Sequence, residues 1–141
     1  MRFWDTSALL PLFVAEKETA RARSWLRRDP VVVVWTLARV ELLSALSRRE
    51  RKEPSAARAL TRARADVLRA WEEWSEIVAV EPVRSQAERL VFVHPLRAAD
   101  ALQLAAALVA MDFHPDRLEL VTFDERLATA AVKEGFAVLG A

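Results

Sequence analysis

Four acidic residues of this sequence stand among apolar neighbours, where a carboxylate is unfavourable unless its charge is compensated. A divalent cation bound by several carboxylates would compensate all of them together. Such a cation would also support metal-assisted chemistry at a phosphodiester. We therefore treat the four as candidate catalytic residues and metal ligands. They are Asp5, Glu41, Asp100 and Asp124.

The other residue types narrow the choice of metal. The sequence has no cysteine, which excludes thiolate zinc sites, disulfides and a cysteine nucleophile. Its two histidines, His94 and His114, each precede a proline and are typical of loops. Ligands must then come mainly from carboxylate oxygens, which prefer hard cations. The residues therefore predict Mg²⁺ or Mn²⁺ as the cofactor.

The composition indicates a folded protein with a single domain over residues 1–141. Hydrophobic residues make up 53% and charged residues 29% of the chain, which suits a globular protein and excludes a disordered one. Apolar runs fall short of the roughly 20 residues that span a bilayer. Asp5, Glu16 and Glu18 interrupt the opening stretch, where a signal peptide would be apolar. We expect a cytoplasmic protein without a membrane segment.

Strands and helices that would position the acids alternate along the chain. The run of four valines before Trp35 is typical of a strand buried on both faces. Strands are predicted at 1–5, 31–35, 77–80, 118–121 and 136–139. Helices are predicted at 9–13, 16–28, 36–49, 54–74, 85–93, 97–111 and 124–134. This alternation predicts a three-layer α/β/α sandwich with a mostly parallel five-stranded sheet.

Such a sheet gives the four acids a common edge. Ligands bind beyond the carboxyl ends of parallel strands, where the strand order reverses. Asp5 ends the first predicted strand, and Asp124 follows shortly after the fourth. Glu41 falls in the second turn of one predicted helix, and Asp100 in the first turn of another. The spacing permits all four to converge if the first and fourth strands are neighbours.

Each acid also has a purely structural explanation. Asp5 could cap the following helix, although Thr6 and Ser7 would cap it equally well, which favours a functional role for Asp5. Asp100 and Asp124 would gain from the helix dipole in a first turn. The ordered set of four carries more weight than any one of these residues.

Two further patterns leave the structural explanation open. Glu41 could pair with a nearby arginine on an exposed strip, and this is as compatible with the sequence as a role in the site. The candidate partners are Arg39, Arg48 and Arg49. Thr122 and Glu125 match a capping box, which favours a structural role for Glu125.

Four segments of the chain resemble, in order, the motifs of PIN-domain ribonucleases. The segments are FWDTSAL (3–9), VELLSAL (40–46), LRAADALQLA (96–105) and VTFDERL (121–127). Each is short, but the ordered set spans nearly the whole chain. Length and motif order look most like VapC-type toxins of prokaryotic toxin–antitoxin pairs.

The resemblance implies a metal-dependent endoribonuclease in which the four acids bind Mg²⁺ or Mn²⁺. Thr6 or Ser7, and Thr122, would support the acids by hydrogen bonding. Many relatives carry an acid or amide where this chain has Arg126, so a second metal would be weakly held or absent. The resemblance also implies an RNA substrate, a cognate antitoxin protein and a homodimer.

An arginine-rich segment and two tryptophans are further candidates for contact with a partner or with RNA. Trp71 and Trp74 would supply a partner groove or an RNA-facing rim, or else belong to the core. Arginine suits bidentate phosphate contacts, although a solvated helical face explains the segment equally well. Its basic residues are Arg48, Arg49, Arg51, Lys52, Arg58, Arg62, Arg64 and Arg69.

The alternative function is a catalytically inactive PIN-like module that binds RNA or protein. A phosphoacceptor signalling domain is disfavoured because the sequence lacks paired acids near the first strand and an aspartate after the third. A dehalogenase-like phosphatase would need Asp-x-Asp after the first strand, where this chain has Asp5-Thr6-Ser7.

Overall fold

The sheet contains five strands, and every pairing between them is parallel. The computed structural model describes residues 1–113 and 118–141, so the predicted loop at His114 lies outside the described residues. The strands are β1 (Arg2–Trp4), β2 (Val32–Trp35), β3 (Ser75–Ile77), β4 (Glu119–Thr122) and β5 (Ala137–Gly140). Their order across the sheet is β3-β2-β1-β4-β5.

Helices cover both faces of this sheet, which confirms the predicted α/β sandwich. They are α1 (Thr6–Phe13), α2 (Thr19–Arg28), α3 (Ala38–Lys52), α4 (Ala57–Trp71), α5 (Val80–Val93), α6 (Ala98–Phe113) and α7 (Glu125–Lys133). One core cluster joins the sheet to α5, α6 and α7, and the other joins it to α1–α4. Within the described residues, no helix is long and apolar enough to cross a membrane.

Successive strand residues point into opposite cores because side chains alternate along a strand. Phe3 and Val33 belong to the cluster with α5–α7, whereas their neighbours Trp4 and Val34 belong to the cluster with α1–α4. All four residues of β2 are buried. Val32, Val33 and Val34 therefore have the two-sided burial that the composition predicted, whereas Val31 precedes the strand and is 49% exposed.

The strand order reverses between β1 and β4. Strand β1 pairs with β2 on one side, with Arg2 opposite Val32, and with β4 on the other side, with Trp4 opposite Val121. The first and fourth strands are thus neighbours, as convergence of the acids required. Asp5 follows β1 directly and so stands at this reversal point.

Several element boundaries differ from the predictions. Strand β3 ends at Ile77, and α5 begins at Val80 instead of residue 85, so Pro82 lies in the first turn of α5. Proline is tolerated there because first-turn N–H groups have no partner inside the helix. Helix α1 begins at Thr6, which places Pro11 inside it. The helix predicted at 36–49 begins at Ala38, and its N-cap is Leu37, which makes no side-chain capping bond.

A glycine follows the last residues of α7. Gly135 follows the helix with a φ of +100°, in the left-handed region that glycine adopts without steric cost. Close by, His94 follows α5, as its loop assignment required, but it is buried and lies 2.6 Å from the Glu134 carboxylate through Nε2.

Candidate functional site

All four predicted acids line one cavity of about 470 Å³ at the carboxyl edge of the sheet. Asp5 follows β1, Asp124 follows β4, and Glu41 and Asp100 lie in the first turns of α3 and α6. Glu41 is therefore in the first turn instead of the predicted second. The rest of the lining is Thr6, Ser7, Leu10, Val40, Ser44, Ala45, Arg48 and Gln103.

Asp5 is the most buried of the four acids, with 5% of its surface exposed. It is itself the N-cap of α1, since its Oδ1 accepts hydrogen bonds from the Ala8 N–H at 3.2 Å and the Ser7 hydroxyl at 2.8 Å. Asp5 thus does cap the helix, so the possibility of capping by Thr6 or Ser7 does not by itself favour a functional role for Asp5. Burial raises the pKa of Asp5 to about 7, although these hydrogen bonds favour the ionised form.

A directed chain of hydrogen bonds connects Asp124 to Asp5. Ser7 donates its hydroxyl hydrogen to Asp5, so at the 3.2 Å contact between Ser7 Oγ and Thr122 Oγ1 the threonine must be the donor. Thr122 Oγ1 in turn accepts the Asp124 N–H at 3.0 Å, and Ser7 Oγ accepts the Phe123 N–H at 2.9 Å. The contacts predicted for Ser7 and Thr122 are thus present. They fix the segment that follows β1 relative to the segment that follows β4.

Asp124 is the N-cap of α7. Its Oδ1 accepts the N–H groups of Arg126 and Leu127, both at 2.9 Å. The proposed capping box of Thr122 and Glu125 was therefore wrong, because Thr122 bonds to the Asp124 N–H instead. Capping and a role in the cavity are compatible for Asp124, since only one of its two carboxylate oxygens makes the capping bonds.

Glu41 is held by a residue that the sequence did not single out. Gln103 Nε2 donates to Glu41 Oε1 at 3.1 Å and to Thr6 Oγ1 at 2.9 Å. Glu41 forms no ion pair with a described residue, so the alternative of an arginine partner is not realised. A cue was available, because Gln103 lies one helical turn after Asp100 and is polar in a helix that is otherwise rich in alanine.

The cavity disfavours negative charge. Burial raises the pKa values of Glu41 and Asp100, and each is raised further by a neighbouring carboxylate, Asp100 for Glu41 and Asp124 for Asp100. Arg97 and Arg126 act in the opposite direction on Asp100. Three of the four acids therefore have pKa values above their ordinary range, as expected for carboxylates that lack a compensating charge.

The donor set matches a hard divalent cation in chemistry, because it consists of carboxylate oxygens. The carboxylates are not drawn together around one point, however. Within residues 1–113 and 118–141, no three or more histidine, aspartate or glutamate side chains are spaced to hold a metal ion. The cavity is thus a collection of candidate ligands in an open arrangement.

The two tryptophans and most paired arginines of the basic segment have structural contacts. Trp71 is 4% exposed and belongs to the core, whereas Trp74 is half-buried with its ring 5.6 Å from that of Trp71. Three arginines of the basic segment form ion pairs: Arg49 with Glu16, Arg64 with Glu50 and Arg69 with Asp66. The solvated-face interpretation thus fits these three, while Arg48 instead lines the acidic cavity.

Comparison with solved structures finds the same fold in several proteins. The Mycobacterium tuberculosis toxin VapC20, described as cleaving the sarcin–ricin loop, has 21% identity and a TM-score of 0.66, over 100% of both chains. A toxin–antitoxin complex from Klebsiella pneumoniae has 19% identity and a TM-score of 0.66, over 91% of each chain. FitAcB from Neisseria gonorrhoeae has 16% identity and a TM-score of 0.60, over 99% of this chain and 97% of that one.

Sequence comparison identifies the family. A search of curated proteins finds no match. The family model described as the PIN domain matches residues 2–133, which include all four candidate acids. This match extends over most of the sequence and agrees with the five-stranded parallel sheet. The chain therefore belongs to the PIN-domain family.

Proposed function

We propose that this chain is a metal-dependent endoribonuclease that hydrolyses RNA phosphodiester bonds, and that it is the toxin component of a type II toxin–antitoxin pair. The observation that carries the proposal is the arrival of four carboxylates from four elements in one cavity of a PIN fold. Apolar burial of these carboxylates is unfavourable for folding, and binding of a cation offsets it.

Asp5, Glu41, Asp100 and Asp124 are the proposed ligands of Mg²⁺ or Mn²⁺. When bound, the cation would supply a Lewis acid that activates water and stabilises charge on the attacked phosphate. The chain's own contribution is to hold these acids in place through the N-cap bonds, the Ser7–Thr122 chain and the Gln103 amide. Because ligands must be ionised to bind metal, the raised pKa values predict that cation affinity increases with pH.

The proposed partners follow from the toxin assignment. Solved relatives include toxin–antitoxin complexes, which supports a cognate antitoxin protein as a partner of this chain. We further propose an RNA substrate, a homodimeric assembly and action in the cytoplasm. Arg48 lies in the cavity lining, where its charge would favour the approach of an RNA phosphate to an otherwise acidic site.

Cleavage of a mixed RNA pool tests the proposal. Wild-type protein should cut RNA with Mg²⁺ or Mn²⁺ and stop in EDTA, and Asp5→Asn should not cut under any condition. Asp66→Asn is the matched control, because Asp66 is a surface acid on α4 that pairs with Arg69. Metal-dependent cleavage that persists in Asp5→Asn would refute the assignment of the site.

A second candidate function is a non-catalytic PIN-like module that binds RNA or protein. The open arrangement of the carboxylates favours it, since the described residues contain no preformed metal cluster. Calorimetric titration with Mn²⁺ separates the two functions. The nuclease should bind the ion with 1:1 or 2:1 stoichiometry, whereas the binding module should show no heat of binding.

A further inference from the structure

Gln103 is a buried amide in an apolar helix. It is 2% exposed, and the residues around it on α6 are almost all alanine or leucine. Burial of a primary amide is unfavourable unless its donors and acceptor find partners. A residue that only filled this position would be leucine or methionine, which have similar volumes.

The two donors of Gln103 join three helices at the cavity. Nε2 donates to Thr6 Oγ1 on α1 and to Glu41 Oε1 on α3, which lie 97 and 62 positions away in the chain. An ionised carboxylate is only an acceptor, so the NH₂ group, and not the carbonyl, must face Glu41. All three residues belong to the cavity lining.

The acceptor of Gln103 is left without a partner. Its Oε1 is buried and accepts no hydrogen bond from the described residues. An unsatisfied buried carbonyl destabilises the fold. The Gln103 carbonyl is therefore unfavourable where it lies. The favourable contacts of this side chain are the two N–H bonds to Glu41 and Thr6.

We propose that Gln103 is a positioning residue, whose amide donors hold the Glu41 carboxylate and the Thr6 hydroxyl towards the cavity and thereby increase its affinity for a divalent cation. The inference rests on the proposed function, because it assigns the bound group to the same site. It differs from a packing role in one testable way, since removal of the amide should weaken ion binding without weakening the fold.

Calorimetric titration with Mn²⁺ of wild type, Gln103→Met and Gln86→Met tests this inference. Methionine keeps the length of the side chain and removes both donors. Gln86 on α5, which contacts Arg89, provides the matched control at a distance from the cavity. Loss of a residue that supports metal ligands typically weakens affinity about 10- to 100-fold. We expect a loss of at least about tenfold for Gln103→Met and none for Gln86→Met.

Urea unfolding in EDTA measures the stability of each variant without metal. The urea midpoint would fall if Gln103 served only to pack the core. We expect the midpoint of Gln103→Met to stay close to that of wild type, because loss of the two donor hydrogen bonds is offset by removal of the unpartnered buried carbonyl. Gln103→Leu, which differs in shape but also lacks donors, should show the same loss of Mn²⁺ affinity. Mn²⁺ affinity within twofold of wild type for either variant overturns the inference, and so does a lower midpoint in both.

The same titrations distinguish this inference from the nuclease assignment. If wild type binds Mn²⁺ but cuts no RNA, the nuclease proposal fails, while the comparison of Gln103 variants still decides the inference. If wild type cuts RNA and Gln103→Met binds Mn²⁺ normally, only the inference fails. If wild type binds no Mn²⁺, both are refuted.

Discussion

The buried carboxyl of Asp5 should make the metal-free protein less stable as the pH rises. Burial raises the pKa of this group from 3.8 to about 7, so the folded protein keeps a proton that the unfolded chain has already released. The stabilisation from this proton is complete below pH 3.8 and is lost as the pH rises through about 7. At roughly 1.4 kcal/mol per pKa unit, the whole interval corresponds to about 4 kcal/mol.

Urea unfolding of wild type and Asp5→Asn in EDTA measures this effect. Asparagine keeps an Oδ1 that accepts from the Ser7 hydroxyl and the Ala8 N–H, but it does not titrate. Between pH 5 and pH 8, wild type should lose about 3 kcal/mol relative to Asp5→Asn. Asp66→Asn removes an exposed acid on α4, and its unfolding free energy should change between pH 5 and pH 8 as that of wild type does.

Addition of Mn²⁺ should stabilise wild type more than Asp5→Asn. A ligand at 100 times its dissociation constant stabilises the folded state by about 2.7 kcal/mol, and Asp5→Asn should gain less because it has lost a proposed ligand. Two results would refute the reasoning. One is a difference below about 1 kcal/mol between pH 5 and pH 8 in EDTA. The other is equal stabilisation of both proteins by Mn²⁺.

Three further predictions concern Ser7, Gly140 and Glu134. Ser7→Ala should lower the initial rate of RNA cleavage at least about tenfold and destabilise the fold by about 1–3 kcal/mol, because it breaks the hydrogen-bond chain and leaves the part-buried Phe123 N–H unpaired; an unchanged rate would contradict this. In urea unfolding, Gly140→Ala should cost at least about 2 kcal/mol, since its Cβ would lie 1.8 Å from a carbonyl oxygen of β4. Gly135→Ala, with a positive φ but open space, should cost less, and equal losses would exclude the steric explanation. Glu134 has a lowered pKa, mainly because of Arg89, so its stabilisation is present above pH 4.5 and lost as the pH falls. Wild type should therefore lose stability faster than Glu134→Gln below pH 5, as followed by thermal unfolding, and parallel curves would contradict this.

Local sequence patterns predicted the fold well because the apolar runs of the sequence are the segments that are buried in the structure. Three of the four valines, Val32–Val34, lie in a strand buried on both faces, and the alanine-rich helix is part of a core. Boundaries were less accurate where proline was involved. The predicted strand at 77–80 and helix at 85–93 left Pro82 between them, whereas the chain uses this proline in the first turn of α5, where a missing N–H has no consequence.

The candidate site was predicted as a set of acids supported by Ser7 and Thr122, but the contacts of Gln103 were not predicted. Four carboxylates were visible because they interrupt apolar segments. Gln103 was overlooked because its partners lie far away in the chain, and hydrogen bonds over such separations depend on how α1, α3 and α6 pack. The roles of Asp5 and Asp124 as helix caps depend likewise on backbone angles that composition does not determine.

The central position of β1 has a consequence for the order of folding during synthesis. This strand pairs with β2 and also with β4, which is made more than a hundred residues later, and Arg2 also bonds to Glu119 at a separation of 117 positions. A nascent chain that ends before β4 has one side of β1 unpaired and lacks Asp124. The acidic cavity is thus complete only after β4 and Asp124 have been synthesised. If the protein cleaves RNA as proposed, a nascent chain that stops short of Asp124 should not yet cleave it.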